Sequence, residues 1–267
     1  MFLLDEIGIQ YVTNTASIEQ NSKNQRISEA VLIGRPKYSL SDISTVEKMA
    51  SRSFSRNFQN ASISDLPGTE VEVKAIREQL ETFSIQVRQY LGASAKEEVL
   101  HNLESPEILH IATHGFWSKS ENATATYRLF NAMTNSGLLL AGVADYYSSK
   151  EFKDAYDGIL TAYEAQGLDM EGTQLVILSA CETGLGDFDA GEGVYGLQRA
   201  FRAAGARSIM TSLWKVDDEG TKDFMISLYR HLLASGDKWI AYNTAQQEIK
   251  SKYTDPFYWG AFVLIGE

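Results

Sequence analysis

Residues 175–186 read LVILSACETGLG, an unbroken apolar run that ends in a cysteine and then in glycines. A run without polar alternation is typical of a central strand that is covered on both faces of a parallel sheet. We therefore predict a strand over 174–180 near the middle of the fold. Cys181, the only cysteine of the chain, follows this strand, so we expect it at the carboxyl edge of the sheet.

The composition is that of a globular protein. The 267 residues are 44% hydrophobic and 22% charged, and their formal net charge of −11 disfavours nucleic acid and anionic membranes as partners. One cysteine excludes an internal disulfide and a cysteine-based metal cluster. No apolar run is long enough to span a bilayer, and the opening MFLLDEIGIQYV lacks the basic start of a signal peptide. We expect a cytoplasmic protein.

Apolar runs alternate with helix-period segments, which predicts an α/β fold with a mostly parallel central sheet. Polar composition predicts loops over 40–66 and 144–157. Further strands are predicted over 7–13, 30–34, 107–113, 136–142, 208–214 and 259–265. Helices are predicted over 70–81, 193–204, 220–234 and 238–251, with two shorter ones opened by the capping boxes Ser94–Glu97 and Thr161–Glu164.

Three predicted strands end in polar residues: His114 and Gly115 follow one, Cys181 follows the second, and 215–218 follow the third. Ligands of open parallel sheets bind at these carboxyl ends, so we expect His114 and Cys181 side by side. A thiolate beside an imidazole suits nucleophilic acyl transfer. Gly115 lets a backbone N–H approach a developing oxyanion, and the N–H of Cys181 is the second expected donor.

Each of these residues also has a structural interpretation. A lone cysteine is usually a small buried hydrophobe, and only the pairing with the His-Gly block favours catalysis. His110 alternates into its strand, and His101 and His231 lie on predicted helices, so we interpret all three as structural or surface residues. The four histidines are too scattered for a zinc site, and we predict no metal.

The segment GLGDFDAGEG, residues 184–193, lies between a strand and a helix, where a phosphate-binding loop would lie. It matches neither nucleotide-binding glycine pattern. Asp187, Asp189 and Glu192 would repel phosphate, so we predict no nucleotide and no other cofactor. Two interpretations stay open for these acids: a solvated loop, or an anionic rim for a basic peptide.

The blocks IATHGFW (111–117), LSACETGLGDFDAGEGVYGLQRAF (178–201) and SLWKVDDEGT (212–221) resemble the CHAT domain, a caspase-like cysteine peptidase family related to separase. The stretches IQYVT, VLIGRPKY, LPGTEVEVKAI and FYWGAFVLIGE extend the resemblance over essentially the whole chain. It implies a caspase-like three-layer α/β/α sandwich in a single domain, 1–267. Within it, about 1–105 would be an N-terminal portion and 106–267 the catalytic portion.

The resemblance implies a catalytic dyad of His114 and Cys181, and a substrate pocket in the tryptophan block. By its position in this block, Asp218, with Asp217 beside it, is the acid that would receive a basic P1 side chain. Trp214 would form a wall of the same pocket. Glu192 and Asp189 are weaker candidates for this pocket. Adjacent acids after a strand also serve as the N-cap of the next helix, so Asp218 could instead cap the helix over 220–234 and touch no substrate, and that alternative stays open.

The implied function is a cysteine endopeptidase that cleaves a protein substrate after arginine or lysine. The family also implies control by a repeat-containing partner chain or a sensor segment, within a bacterial antiviral defence or programmed cell death pathway. A catalytically idle caspase-like scaffold that acts as a protein-interaction module is the alternative. A small-molecule thiol hydrolase is a third, weaker hypothesis.

Overall fold

Two β-sheets organise the part of the chain that a computed structural model describes: residues 11–12, 27–40, 63–117, 133–148, 156–179, 181–182, 190–214 and 217–266. The strands are β1 (Glu29–Pro36), β2 (Gln86–Gly92), β3 (Ile108–Ala112), β4 (His114–Trp117), β5 (Ser136–Leu139), β6 (Ile159–Thr161), β7 (Leu175–Leu178), β8 (Cys181–Glu182), β9 (Ser208–Ser212) and β10 (Phe262–Gly266). The helices are α1 (Pro67–Thr82), α2 (Glu97–His101), α3 (Val143–Ser148), α4 (Ala162–Ala165), α5 (Ala190–Ala203), α6 (Asp218–Ser235), α7 (Lys238–Lys252) and α8 (Pro256–Trp259).

The main sheet has six strands in the order β10-β9-β7-β3-β1-β2, and the smaller sheet has the order β6-β5-β4-β8. All neighbours in the main sheet are parallel except β10, which runs antiparallel to β9. The apolar run at 175–178 forms β7, which lies between β3 and β9, and all four of its residues are buried. The predicted central strand is therefore confirmed.

The main sheet is covered by helices on both faces. Leu32 and its neighbours on one face pack with buried residues of α1, α6 and α7, whereas Ile33 and its neighbours on the other face pack with α2, α4 and α5. Full burial of one such side chain stabilises the fold by about 1.5–3 kcal/mol, so two apolar faces hold the layers together. The predicted α/β/α sandwich with a mostly parallel sheet is confirmed.

The carboxyl end of β1 lies tightly against α1. A Cβ atom added at Gly34 would lie 2.8 Å from Cγ2 of Val73 and 3.0 Å from the carbonyl oxygen of Thr69. Pro67 occupies the first turn of α1, where its missing N–H has no helical acceptor to lose. The first turns of α1 therefore lie close against the carboxyl end of β1.

Several predicted boundaries were wrong. The sequence analysis missed β2, a half-exposed edge strand whose apolar and polar residues do not separate onto two faces. It also placed a loop over 144–157, where α3 occupies Val143–Ser148, and it missed β6. The last strand begins at Phe262, not at 259, because Asp255 caps a short helix that extends to Trp259.

The first predicted strand, 7–13, falls mostly outside the described residues; Tyr11 forms a single bridge with Ile265. The predicted division between 1–105 and 106–267 is not visible as a boundary between sheets, since β1 and β2 of the first part pair within the main sheet, and it stays a prediction. No helix in the described part of the chain has both the length and the apolar character that a bilayer crossing requires.

Candidate active site

Two strands leave the main sheet side by side and continue into the smaller sheet. After β3, Thr113 leads into β4, and after β7 the chain leads into β8. The strands β4 and β8 pair in parallel, with His114 opposite Cys181 and Gly115 opposite Glu182. Because paired strands lie about 4.8 Å apart, the backbones of His114 and Cys181 are direct neighbours. Both residues therefore lie at the carboxyl edge that the sequence analysis expected.

The imidazole of His114 is 3% exposed, and a backbone carbonyl holds it. Its Nε2 lies 2.8 Å from the carbonyl oxygen of Ser64 and 3.4 Å from the Oγ of the same residue. A carbonyl oxygen only accepts hydrogen bonds, so Nε2 carries the hydrogen of the neutral ring. Nδ1 is then the ring nitrogen that takes up a proton.

The sequence analysis missed Ser64, because it interpreted 40–66 as a surface loop. A backbone carbonyl is present in every residue, so no residue type marks the one that contacts the histidine. Only the placement of Pro67 and Gly68, which punctuate the loop before α1, indicated where the chain turns.

Tyr38 and Thr113 support the backbone at His114. The N–H of His114 donates to the Tyr38 hydroxyl at 3.3 Å, and Thr113 Oγ1 donates to the carbonyl of Leu139 at 2.5 Å. Since the Thr113 hydrogen is used there, the Tyr38 hydroxyl donates to Thr113 Oγ1, 3.1 Å away. Burial raises the pKa of Tyr38 to about 12, so this chain of hydrogen bonds persists at neutral pH.

The adjacent acids Asp217 and Asp218 occupy different environments. Asp217 is the N-cap of α6, and its Oδ1 accepts the N–H groups of Glu219 at 2.8 Å and Gly220 at 3.1 Å. The sequence analysis gave the possible capping role to Asp218, which is wrong: the cap is Asp217, because the helix begins one residue earlier than the prediction required. Asp218 is the first residue of α6, and both side chains are exposed.

Asp218 packs beside the start of α1. A Cβ atom added at Gly68 would lie 2.9 Å from the Cβ of Asp218 and 3.1 Å from its Oδ2. Gly68 belongs to the same stretch of chain as Ser64, whose carbonyl holds His114. The structure thus places the Asp218 carboxylate next to the segment that orients the histidine.

Trp214 follows β9 and is 36% exposed. Its Nε1 donates to the carbonyl oxygen of Phe257 at 3.0 Å, and Phe257 itself is 43% exposed. This hydrogen bond joins the residue that follows β9 to the short helix α8. The role of Trp214 as a pocket wall stays a prediction.

The remaining predicted residues are only partly described. Asp189 lies outside the described residues, and for Glu192 and Cys181 the description extends to the backbone alone. Gly115 lies within β4 and pairs with Leu138 on one side and Glu182 on the other, so its role as an oxyanion donor stays a prediction. Within the described ranges, no group of three or more His, Cys, Asp or Glu is arranged to hold a metal ion.

Comparison with protein families gives one match over the entire chain: residues 1–267 match the CHAT domain model. Among curated proteins, the human Tetratricopeptide repeat protein 28 is 28% identical over 189 residues, and its mouse counterpart is 27% identical over 187 residues. The aligned regions cover 66% and 65% of this chain but only 8% of either relative.

Comparison with solved structures matches the fold. The Arg-specific cysteine proteinase gingipain R aligns with a TM-score of 0.50 and 9% identity over 92% of this chain and 47% of its own. The complex of Porphyromonas gingivalis RgpB pro- and mature domains aligns with a TM-score of 0.50 and 10% identity over 92% of this chain and 48% of that one. The likeness confirms the predicted caspase-like fold.

Proposed function

Because the chain belongs to the CHAT domain family, we propose that it is a cysteine peptidase with Cys181 as the nucleophile and His114 as the proton carrier. The parallel register of β4 and β8, which sets His114 opposite Cys181, carries this proposal. Register partners on neighbouring strands share a face of the pleat, so this register favours contact between a thiol and an imidazole. The hydrogen bond from Nε2 of His114 to Ser64 supports it, since it leaves Nδ1 as the proton acceptor.

The chemistry proceeds in two stages. Nδ1 of His114 takes the thiol proton, and the thiolate forms an S–C bond with the scissile carbonyl carbon while the carbonyl electron pair moves onto oxygen. The intermediate collapses, the C–N bond breaks, and the imidazolium protonates the departing amine. Water then forms a C–O bond with the thioester carbon while His114 accepts a proton from it. The C–S bond breaks, the free acid leaves, and the imidazolium returns its proton to the Cys181 thiolate. Backbone N–H groups of Gly115 and Cys181 are the proposed oxyanion donors.

We further propose a preference for arginine or lysine at P1, with Asp218 as its partner. Asp218 is exposed and lies beside the segment that holds His114, whereas Asp217 already accepts two backbone N–H groups. A carboxylate pairs well with guanidinium or ammonium groups. In this proposal the partly exposed Trp214, whose Nε1 is held by the carbonyl of Phe257, forms a wall of the pocket.

A set of fluorogenic peptides that differ only at P1 tests both parts. We expect cleavage after arginine and lysine, complete loss of cleavage in Cys181→Ala with an unchanged circular dichroism spectrum, and covalent labelling of Cys181 by an arginine chloromethyl ketone. Cleavage retained in Cys181→Ala contradicts the proposal. Absence of both cleavage and labelling favours the idle scaffold instead.

The P1 partner is tested by comparing Asp218→Asn with Asp217→Asn. Asparagine is as good an N-cap as aspartate, so Asp217→Asn removes a neighbouring charge while it preserves the start of α6. We expect Asp218→Asn to lower kcat/KM for arginine peptides about 10- to 100-fold, the range for loss of one charged hydrogen-bonding partner, and Asp217→Asn to have a much smaller effect. Equal effects, or an unchanged P1 preference, contradict the assignment.

We also propose that a tetratricopeptide-repeat segment, in the same or another chain, regulates the site. The support is the name of the two curated relatives and the fact that the aligned region covers 8% of their length. Addition of such a segment to the CHAT domain is expected to change the labelling rate of Cys181; an unchanged rate contradicts regulation.

A further inference from the structure

Arg35, at the carboxyl end of β1, combines a backbone irregularity with an unusual set of side-chain contacts. The register of β1 with β2 shifts between Gly34 and Pro36, and Arg35 has a φ of 40°. Positive φ is uncommon outside glycine, and bulges of this kind re-aim a side chain away from the regular strand direction.

The re-aimed guanidinium contacts two carboxylates on the segment that enters α1. Its Nε and Nη2 donate to Asp65 at 3.0 and 2.6 Å, and its Nη1 donates to Glu70 at 2.6 Å. The Arg35 backbone N–H donates to Oγ1 of Thr69 at 2.9 Å. A planar guanidinium fork constrains direction as well as distance, so these contacts define the position of the segment relative to β1.

Ser64 lies between two anchors of this segment. On one side, Asp65 is held by Arg35; on the other, Ile63 packs against the small apolar cluster that contains Tyr38 and Phe116. The carbonyl of Ser64 is the group that receives Nε2–H of His114. A displacement of Asp65 therefore displaces the acceptor that sets the orientation and tautomer of His114.

The contacts of Arg35 are poorly explained as a contribution to stability. Its side chain is 39% exposed, and that of Asp65 is 56% exposed. Single ion pairs at such exposure contribute little to folding, and a positive φ opposes folding. The fork on Asp65 and the network with Glu70 add directional constraint to these contacts. The hydrogen bonds from Arg35 lower the pKa of Asp65, which keeps that carboxylate ionised, and Lys74 with Arg35 does the same for Glu70. The geometry of the cluster is thus preserved at neutral pH.

We propose that Arg35 is a positioning residue. Its hydrogen bonds to Asp65 and Glu70 hold the Ser64 carbonyl in place, and that carbonyl orients the imidazole of His114. The predicted effect of Arg35 on the reaction rate rests on the proposed function. Its predicted effect on the orientation and tautomer of the His114 ring does not. It assigns Arg35 no contact with substrate.

Steady-state kinetics of Arg35→Gln test the catalytic consequence. Misplacement of a catalytic group by about 1 Å can cost about 100-fold in rate, so we expect kcat to fall about 10- to 100-fold with KM within about twofold of wild type. Arg35→Lys should be intermediate, because an ammonium group lacks the fork. Arg77→Gln is the control: Arg77 is similarly exposed and pairs with Glu81 further along α1, so its loss should leave kcat unchanged.

Nitrogen-15 NMR of histidine-labelled protein tests the ring itself. The chain has four histidines, and the spectrum of His114→Ala assigns the resonance of His114. We expect the wild-type ring to show hydrogen on Nε2, and Arg35→Gln to shift the His114 signals or mix the tautomers. Arg77→Gln should leave them unchanged. Asp65→Asn, which weakens the same fork from the other side, should reproduce the change if Arg35→Gln does not fold.

The two measurements separate the inference from the proposed function. If wild type cleaves no peptide, the proposed function fails and the NMR comparison alone decides the role of Arg35. Unchanged His114 signals in folded Arg35→Gln and Asp65→Asn overturn the inference, even if kcat falls, because Arg35 would then act by another route. Equal shifts in Arg77→Gln overturn it as well.

Discussion

At the scale of single residues, the two histidines near β3 and β4 differ in what their ring nitrogens contact. His110 is fully buried, with Nε2 at 2.9 Å from Glu72 and Nδ1 at 3.2 Å from the Tyr229 hydroxyl. Both nitrogens are therefore engaged inside the core. His114 instead directs Nε2 at a backbone carbonyl, which selects a tautomer with a basic Nδ1. The same side chain thus serves packing in one place and suits proton transfer in the other.

Glu97 is a buried carboxylate whose titration affects the stability of the molecule. It is 3% exposed, and burial, with Asp157 and Glu164 nearby, raises its pKa to about 8. The N–H of Gly158 donates to its Oε2 at 2.9 Å, and His101 Nε2 lies 3.3 Å from its Oε1. The folded state therefore holds this proton more tightly than the unfolded chain, whose glutamate has an ordinary pKa of 4.5.

The sign of the pH dependence follows from this difference. The stabilisation from Glu97 is fully present below pH 4.5 and is lost as the pH rises towards 8, with a slope of at most about 1.4 kcal/mol per pH unit. Glu97→Gln, which cannot ionise, should remove this slope in urea unfolding measured between pH 5 and 8. Glu98→Gln, at the exposed neighbouring position on α2, is the control. An identical pH profile for wild type and Glu97→Gln contradicts the prediction.

At the scale of elements, a buried polar contact joins α1 to the sheet and to α6. Glu72 of α1 meets His110 of β3, which in turn meets Tyr229 of α6. Glu72 is 1% exposed and Tyr229 is fully buried, and burial raises the pKa of Tyr229 well above its ordinary value. Because α1 follows the segment that contains Ser64, this contact also helps place the candidate site.

Removal of one partner from this buried contact should be costly. Glu72→Ala leaves the buried His110 without one of its hydrogen-bond partners, and we expect the free energy of unfolding to fall by about 1–3 kcal/mol. Glu81→Ala lies on the same helix and breaks only the exposed pair with Arg77, at an expected cost below about 1 kcal/mol. Urea denaturation compares the two variants. Similar costs would show that the buried contact contributes no more than the exposed one.

At the scale of the whole molecule, the net charge of −11 should act on substrate encounter. Negative charges outside the pocket attract a cationic peptide at low salt. At an ionic strength of 0.1 M, salt screens this attraction over distances beyond about 10 Å. For two peptides with the same P1 residue, we expect rising salt to lower kcat/KM several-fold for a peptide with distal lysines and to leave a neutral one unchanged. The kcat values should not change. Equal salt dependence of the two peptides contradicts this steering.

The fold was predictable because its central strands carry strong local signals. The apolar run of β7 and the helical spacing of apolar residues in α1 and α5 predict these elements, and the structure contains all three. The edge strand β2 was missed because half-exposed strands carry a mixed pattern, and α3 was missed because short polar helices resemble loops. In the site, the positions of His114 and Cys181 at neighbouring strand ends followed from the order of strands and helices.

The sequence by itself determined the layered fold and brought His114 and Cys181 to one edge, because periodicity and strand order are properties of the chain. Only the tertiary structure decided that Asp217 caps α6 and that the Ser64 carbonyl accepts a hydrogen bond from the His114 imidazole. It also decided that Arg35, at the end of β1, forms an ion pair with Asp65, the residue next to Ser64. The physical reason is that a backbone carbonyl or a capping bond depends on which groups meet in space. Residue type alone does not predict which backbone and side-chain groups form these hydrogen bonds when the partners are far apart in the chain.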